Sequence, residues 1–278
     1  MIIQRVFFCL HRNKNIVLIL PFLLLFAACG RDKPIEPESS PVLELNTLTA
    51  EEKAAGWELL FDGKTFNGWR GIGLEDIPKG HWTIENGAIK KIPSGRVPLQ
   101  EDGQPLEGGD IMTTETFEDF ELYLEWKIAP AGNSGIKYNV SEDMSTSNPP
   151  PRGALGFEYQ ILDDDLHPDG QRGGLYTASA LYDLAEPQGK TLKPVGEFNS
   201  TRILLEGQHG EHWLNGIKVL EYDMDTDEFK ALVAKSKYKD YEGFADKRSG
   251  HIVIQDHTSA AWFRNIKIRK IKKGDKNE

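Results

Sequence analysis

Short runs in which apolar and polar residues alternate, rather than recur at helical spacing, dominate the chain from Trp57 onward. A period of two puts successive side chains on opposite faces of an extended backbone, so each run predicts a half-buried β-strand. The runs are Glu58–Gly63, His81–Lys90, Phe120–Ala129, Gly135–Val140, Ser200–Gly207, Glu211–Tyr222, His251–Asp256 and Trp262–Ile271. Asn86-Gly87 and Asn215-Gly216 interrupt two of them, the strongest short-range hairpin signal. Asp227–Lys237 is the one stretch with helical spacing, with Phe229, Leu232 and Val233 on one side. Many short strands, one helix and no fixed-period repeat predict an all-β sandwich or jelly roll. No shift of composition divides Gly56–Ile271, so it reads as one domain, and 272–278 is a charged tail.

The start of the chain follows a different pattern. Arg5, Arg12 and Lys14 precede an apolar run, Ile16–Ala28, that is short for a transmembrane helix. The run ends Leu-Leu-Phe-Ala-Ala-Cys-Gly, which resembles a bacterial lipoprotein processing site with Cys29 as the acylated first residue. An ordinary secretory signal followed by a chance cysteine is the alternative. Residues 1–28 are thus expected to be removed. Residues 29–55, with Pro34, Pro37 and Pro41, are expected to form a tether to the lipid bilayer. That reading places the protein in the cell envelope, lipid-anchored, facing the periplasm or on the surface.

Composition then narrows the chemistry. The two cysteines are Cys9 and Cys29, so the domain itself offers no disulfide, thiol nucleophile or cysteine-bound metal. Loss of residues 1–28, which hold three Lys/Arg and no acid, takes the net charge from −10 to −13. Such an acidic chain lacks the basic face that nucleic acid requires.

The candidate chemistry sits on strand faces. In Phe157–Leu162 the residues Phe157, Tyr159 and Ile161 share one face, which leaves Glu158 and Gln160 on the other. Glu158 and Gln160 read either as site residues or as polar groups on a solvated face. His257 shares a face with Gln255 and Val253 by the same alternation, and reads as an acid–base group or as a turn histidine. In Gly132–Val140, Asn133, Lys137 and Asn139 line up as polar groups on one face, although Asn-Ser-Gly is also turn chemistry. The loop Asp163–Asp169 offers oxygen ligands for a divalent cation such as Ca²⁺, or is a solvated Asx-rich turn; it does not have the order of an EF-hand. Arg152, Tyr176, Tyr182 and Asn199 are further candidates for polar contacts.

Nine motifs occur in order: GWELLFDGKTFNGW, GNSGIKY, FEYQILDDDLHPDG, ALYDL, KPVGEFN, HWLNGIKV, AKSKYK, IQDH and FRNIKI. Together they resemble the 3-keto-disaccharide hydrolase family over about Gly56–Ile271. The resemblance implies a concanavalin-like jelly roll of two curved antiparallel sheets. It also implies cleavage of glycosides whose sugar carries a ketone at carbon 3, with a sugar 3-oxidoreductase as working partner. The family pattern has Trp within Glu197–Asn199, where this chain has Phe198, and Gly after the histidine, where it has Thr258.

Glucanases of similar fold use Glu-x-Asp-x-x-Glu, against Glu158-x-Gln160-x-x-Asp163 here. An amide in the middle weakens a two-carboxylate glycosidase, whose acids stand about 5 to 9.5 Å apart. It leaves an elimination untouched, because a ketone at carbon 3 acidifies the hydrogen on carbon 2 for a single base. Glu158, Gln160, Asp163 and His257 are therefore the expected catalytic set, with Asn133, Lys137, Asn139, Arg152, Tyr176, Tyr182 and Asn199 binding. A lectin without chemistry and a conventional glycosidase stand as alternatives.

Overall fold

In the computed structural model both hairpins close where the sequence places Asn-Gly. Asn86 and Gly87 take φ of 51° and 73°, and Asn215 and Gly216 take 50° and 82°. Two successive positive φ values are what a type I′ turn needs to match the twist of its strands. The structure describes residues 44–93, 108–147, 153–246 and 248–272, all within the unit Leu43–Glu278. The signal segment, Cys29 and Arg152 lie outside the described residues.

In chain order the strands are β1 (Trp57–Leu59), β2 (Trp69–Gly71), β3 (Trp82–Glu85), β4 (Ala88–Lys91), β5 (Ile111–Thr113), β6 (Phe120–Ile128) and β7 (Asn133–Val140). They continue as β8 (Phe157–Leu162), β9 (Asn199–Glu206), β10 (His209–Leu214), β11 (Ile217–Asp223), β12 (His251–Ile254) and β13 (Ala261–Lys270). The helices are α1 (Ala50–Ala54), α2 (Glu142–Ser147) and α3 (Asp227–Lys235). The larger sheet runs β11-β10-β9-β6-β13-β4-β3 with β1 added beside β13, and the smaller runs β2-β5-β12-β7-β8. Every pairing is antiparallel, so the all-β jelly-roll sandwich expected from the alternation is the fold.

The alternating apolar residues meet between the sheets. Phe120, Leu122 and Trp126 of β6 pack with Ile136 and Tyr138 of β7 and Phe157, Tyr159 and Ile161 of β8. Their burial leaves the other face of β7 and β8 to polar side chains. One polar network crosses the core: the Tyr138 hydroxyl lies 2.8 Å from His212 Nε2 and 2.7 Å from the Tyr222 hydroxyl. Burial drives His212 down to about 4, so it stays neutral and its Nδ1 donates to the Ser179 carbonyl at 3.0 Å. All of these buried groups are satisfied, which removes the cost of placing them there.

Three expectations need correction. The tether over 29–55 ends early: Thr49 caps α1 through the Glu52 N–H, and Glu52 returns the bond to the Thr49 N–H. The buried Asn46 exchanges backbone and amide bonds with Asn265 on β13, so the folded part already includes it. The second correction concerns Asn139. His251 pairs with Val140 while Val253 pairs with Lys137, so β7 holds one extra residue between them. Asn139 takes φ 55° at this bulge and its amide turns to the Asp246 carbonyl at 3.1 Å. Val140, not Asn139, then follows Lys137 on the outer face of the smaller sheet, beside Met112, Ala154 and Val253. Lastly, that outer face is not solvated. Segments 108–110, 141–147, 153–156 and 163–185 carry contacts that bury its polar side chains.

Candidate active site

Lys137 and Glu158 are direct cross-strand partners on β7 and β8, which forces their side chains onto one patch. Lys137 Nζ stands 3.9 Å from Glu158 Oε2, 3.7 Å from Asp110 Oδ2 and 3.2 Å from the Ala154 carbonyl it donates to. Lys137 and Glu158 are each 4% exposed, and Asp110 is 3% exposed. A buried lysine shared between two buried carboxylates is costly to form, and it survives only because each charge has a partner. Asp110 is held further by the Asp256 N–H at 2.7 Å and the Ala154 N–H at 3.1 Å. Burial pushes its carboxyl above the ordinary carboxylate range, against the pull of Lys137, the Ala154 N–H and His257. A displaced acid beside a cation marks a site where protons can be moved.

Gly135 makes room for this arrangement. An added Cβ would lie 2.5 Å from Glu158 Oε1, so the carboxylate occupies the space a larger residue would fill. Gly135 sits in regular strand, so space rather than turn conformation is its reason for being glycine. Gln160 is opposite Gly135, and its amide donates to the Tyr176 carbonyl at 3.4 Å. The Tyr182 N–H donates to the Glu158 carbonyl at 3.0 Å. Burial, and then the Glu158 charge, raise the Tyr182 phenol far above its usual range, so it remains a hydroxyl beside that carboxylate. His257 is 6% exposed, near Asp110, with its ring 6.1 Å from that of His167. Among the described residues three amide oxygens, Asn133 Oδ1, Gln255 Oε1 and, at the bulge, Asn139 Oδ1, are buried and accept no hydrogen bond.

The structure therefore brings Lys137, Glu158, Gln160, Tyr182 and His257 to one region of the smaller sheet, with Asn133 farther along the same strand. Tyr176 stands beside them, its ring 5.4 Å from Tyr182 and its hydroxyl bonded to Asp183. Asp163 follows the last residue of β8, and its N–H donates to the Gly132 carbonyl at 3.0 Å. Its oxygens accept from the N–H groups of Ala131, Asp165 and Leu166, so it caps a loop. Asn199 is elsewhere: its Oδ1 accepts from the Lys193 N–H and the Asn215 amide, at the wall of a separate cleft of about 400 Å³. In the acidic loop Asp164 pairs with Lys190 at 2.7 Å and Asp169 with Arg172 at 2.8 Å.

Asp110 is the site residue that sequence reasoning missed. It precedes β5, and three residues are too few to display alternation. Its parity with Met112 was the available signal, since Ile111 points into the core. A cavity of about 490 Å³ opens beside it, lined by Ile72, Leu74, Pro78, His81, Asp110 and Thr146 among others. Arg70 on β2 clamps Glu142 of α2 through two bonds of 2.6 and 2.7 Å, and Ser145 and Thr146 of the same helix line the cavity.

Fold and cluster together define a two-sheet β-sandwich with a buried charge cluster, Lys137 between Asp110 and Glu158, on one outer face. Residues 56–269 match the model of the 3-keto-alpha-glucoside-1,2-lyase-like domain, and the chain belongs to that family. A 3-keto-disaccharide hydrolase from Bacteroides thetaiotaomicron is 36% identical over 249 residues, covering 84% of each chain. A crystal structure from Parabacteroides distasonis, of a protein described as a candidate glycosyl hydrolase, superposes with a TM-score of 0.71 at 30% identity. It covers 82% of this chain and 100% of its own. A second such protein from the same organism gives 0.58 at 27% identity, over 77% and 99%.

Proposed function

We propose that this protein cleaves the glycosidic bond of 3-keto-glucosides by elimination followed by addition of water. The observation that carries the reading is Lys137, a buried cation fixed between Glu158 and Asp110 on the outer face of the sheet. The carbon 3 ketone of a bound sugar would take its oxygen to the Lys137 ammonium, in the place where negative charge grows. Glu158 then removes the proton from carbon 2, and the electron pair passes to the ketone oxygen as an enolate. Re-formation of the ketone makes the carbon 1–carbon 2 double bond and expels the group on carbon 1. Glu158 exchanges its proton with solvent, and water then adds at carbon 1 as Glu158 protonates carbon 2, which gives net hydrolysis. Gln160 and Tyr182 orient Glu158 and the sugar, and His257 faces the cluster from β12's end.

A conventional glycosidase is the second reading, favoured by one observation: Glu158 and Asp110 both lie within 4 Å of a single ammonium and so stand near each other. Matched pairs of glucosides, native and 3-keto, separate the two. Turnover of the 3-keto member alone is the expected result; comparable turnover of the native glucoside would make the carboxylates an ordinary acid pair.

The ketone must come from an enzyme that oxidises the hydroxyl on carbon 3, so a sugar 3-oxidoreductase is the partner that this chemistry demands. We further propose that Cys29 is acylated and holds the domain on the membrane in the cell envelope. Cys29→Ser should move the full-length protein from the detergent phase to the aqueous phase; retention in detergent would rule out the anchor.

A further inference from the structure

A second buried charge cluster lies on the far side of Asp110, and the elimination just described does not use it. Asp256 follows β12 and is 1% exposed. One of its oxygens lies 2.9 Å from Nζ of Lys91, itself 1% exposed, and the other is bound to His81 Nδ1. The Asp256 N–H donates to Asp110 Oδ1 at 2.7 Å, so the two clusters are joined through one backbone bond. His81 is the outermost member: its side chain is 15% exposed and lines the 490 Å³ cavity together with Asp110. Gly109 seals the contact, since an added Cβ would run into both Asp256 Oδ2 and His81 Nδ1.

The arrangement is that of a histidine oriented by a carboxylate. The Asp256 carboxylate accepts from Nδ1–H, which fixes the tautomer and aims Nε2 away from Asp256. Lys91 balances the Asp256 charge from 2.9 Å. A surface histidine satisfied by chance would not need a fully buried acid, a fully buried lysine and a glycine cut to fit. The neighbouring charges that act on the ring are Asp256, Lys91, Asp110 and Lys79, the last also at the cavity wall.

Resting on the elimination reading, we propose that His81 is the acid that protonates the departing glycosidic oxygen, with Asp256 and Lys91 as its positioning residues. The step balances. As the carbon 1–oxygen bond breaks, its electron pair goes to the leaving oxygen, which takes the proton from His81 Nε2. When water adds to carbon 1, its proton returns to Nε2 while Glu158, whose proton has by then exchanged with solvent, protonates carbon 2. Both groups end as they began. The cavity then receives the leaving group, and its wall of Ile72, Leu74 and Pro78 offers that group an apolar side.

Leaving-group dependence is the test, because an acid matters in proportion to how poorly the group departs unaided. His81→Gln in the full-length protein should lose about 10²- to 10⁴-fold in kcat on methyl 3-keto-glucoside. On 4-nitrophenyl 3-keto-glucoside, whose phenolate leaves without help, the loss should stay within about tenfold. The basic limb of the pH–rate profile on the methyl substrate should also disappear. If His81→Gln does not fold, His81→Asn carries the same expected split. Equal losses on the two substrates, or no loss on either, would overturn the proposal while wild-type turnover upholds the parent reading. Wild-type inactivity on both would overturn the parent reading and this step with it.

Discussion

Lys137→Met should be the most damaging single substitution outside the hydrophobic core. It strands Asp110 and Glu158, both buried, with no cation between them. Removing one partner of a buried ion pair costs about 3–5 kcal/mol, because the desolvated charge that remains has lost its compensation. For a domain of this size that corresponds to roughly 6–20 °C in Tm. The deficit should shrink as pH falls through the carboxylate range, since protonation of Asp110 and Glu158 removes the stranded charge. Asp110, whose carboxyl burial already raises above the ordinary carboxylate range, contributes to this recovery. Activity should vanish along with the cation that receives the ketone oxygen. Thermal unfolding of the variant at several pH values checks the account; a Tm equal to wild type at neutral pH would mean that the three charges are not coupled.

Glu158→Gln carries the second large effect, this time on rate. The change is nearly isosteric, and the amide still fits over Gly135. Lys137 keeps Asp110 at 3.7 Å as a counter-charge, so the fold should persist with a modest loss of stability. Losing the base should cost about 10²- to 10⁴-fold in kcat, with far less effect on KM. Because the site is enclosed and not on a solvated face, the variant should also be less stable than a surface substitution would be. Steady-state kinetics on a 3-keto-glucoside decides: an undiminished kcat would make Glu158 structural and hand the proton to His257 or Asp110.

Much of this site was legible because strand alternation is a strict rule. Once Phe157, Tyr159 and Ile161 are assigned to the core, Glu158 and Gln160 must share the opposite face, and Lys137 must meet Glu158 when the strands pair. Alternation fails where the backbone departs from regularity. The bulge at Asn139 removed that residue from the row, and a run of bare Asx side chains does not reveal whether they face a cation or their own N–H groups. Asp163 illustrates the second failure. Asp110, Asp256, Lys91 and His81 come from four separate segments, and only the packing of β5, β12 and β4 brings them together. Asn199 failed for another reason. Its motif marks a family segment, but the side chain serves the 193 loop and the Asn215 turn.

The central claim is that the bond breaks by way of carbon 2 and not by direct displacement at carbon 1. Turnover of a 3-keto-glucoside in heavy water, with the released 3-keto-glucose examined by NMR immediately after quenching, tests this most directly. Solvent exchange of substrate and product without enzyme sets the baseline. Elimination and rehydration place one solvent deuterium at carbon 2 in each product molecule, above that baseline. Product that retains its original hydrogen at carbon 2 would contradict the account and return Glu158 and Asp110 to the role of a conventional carboxylate pair.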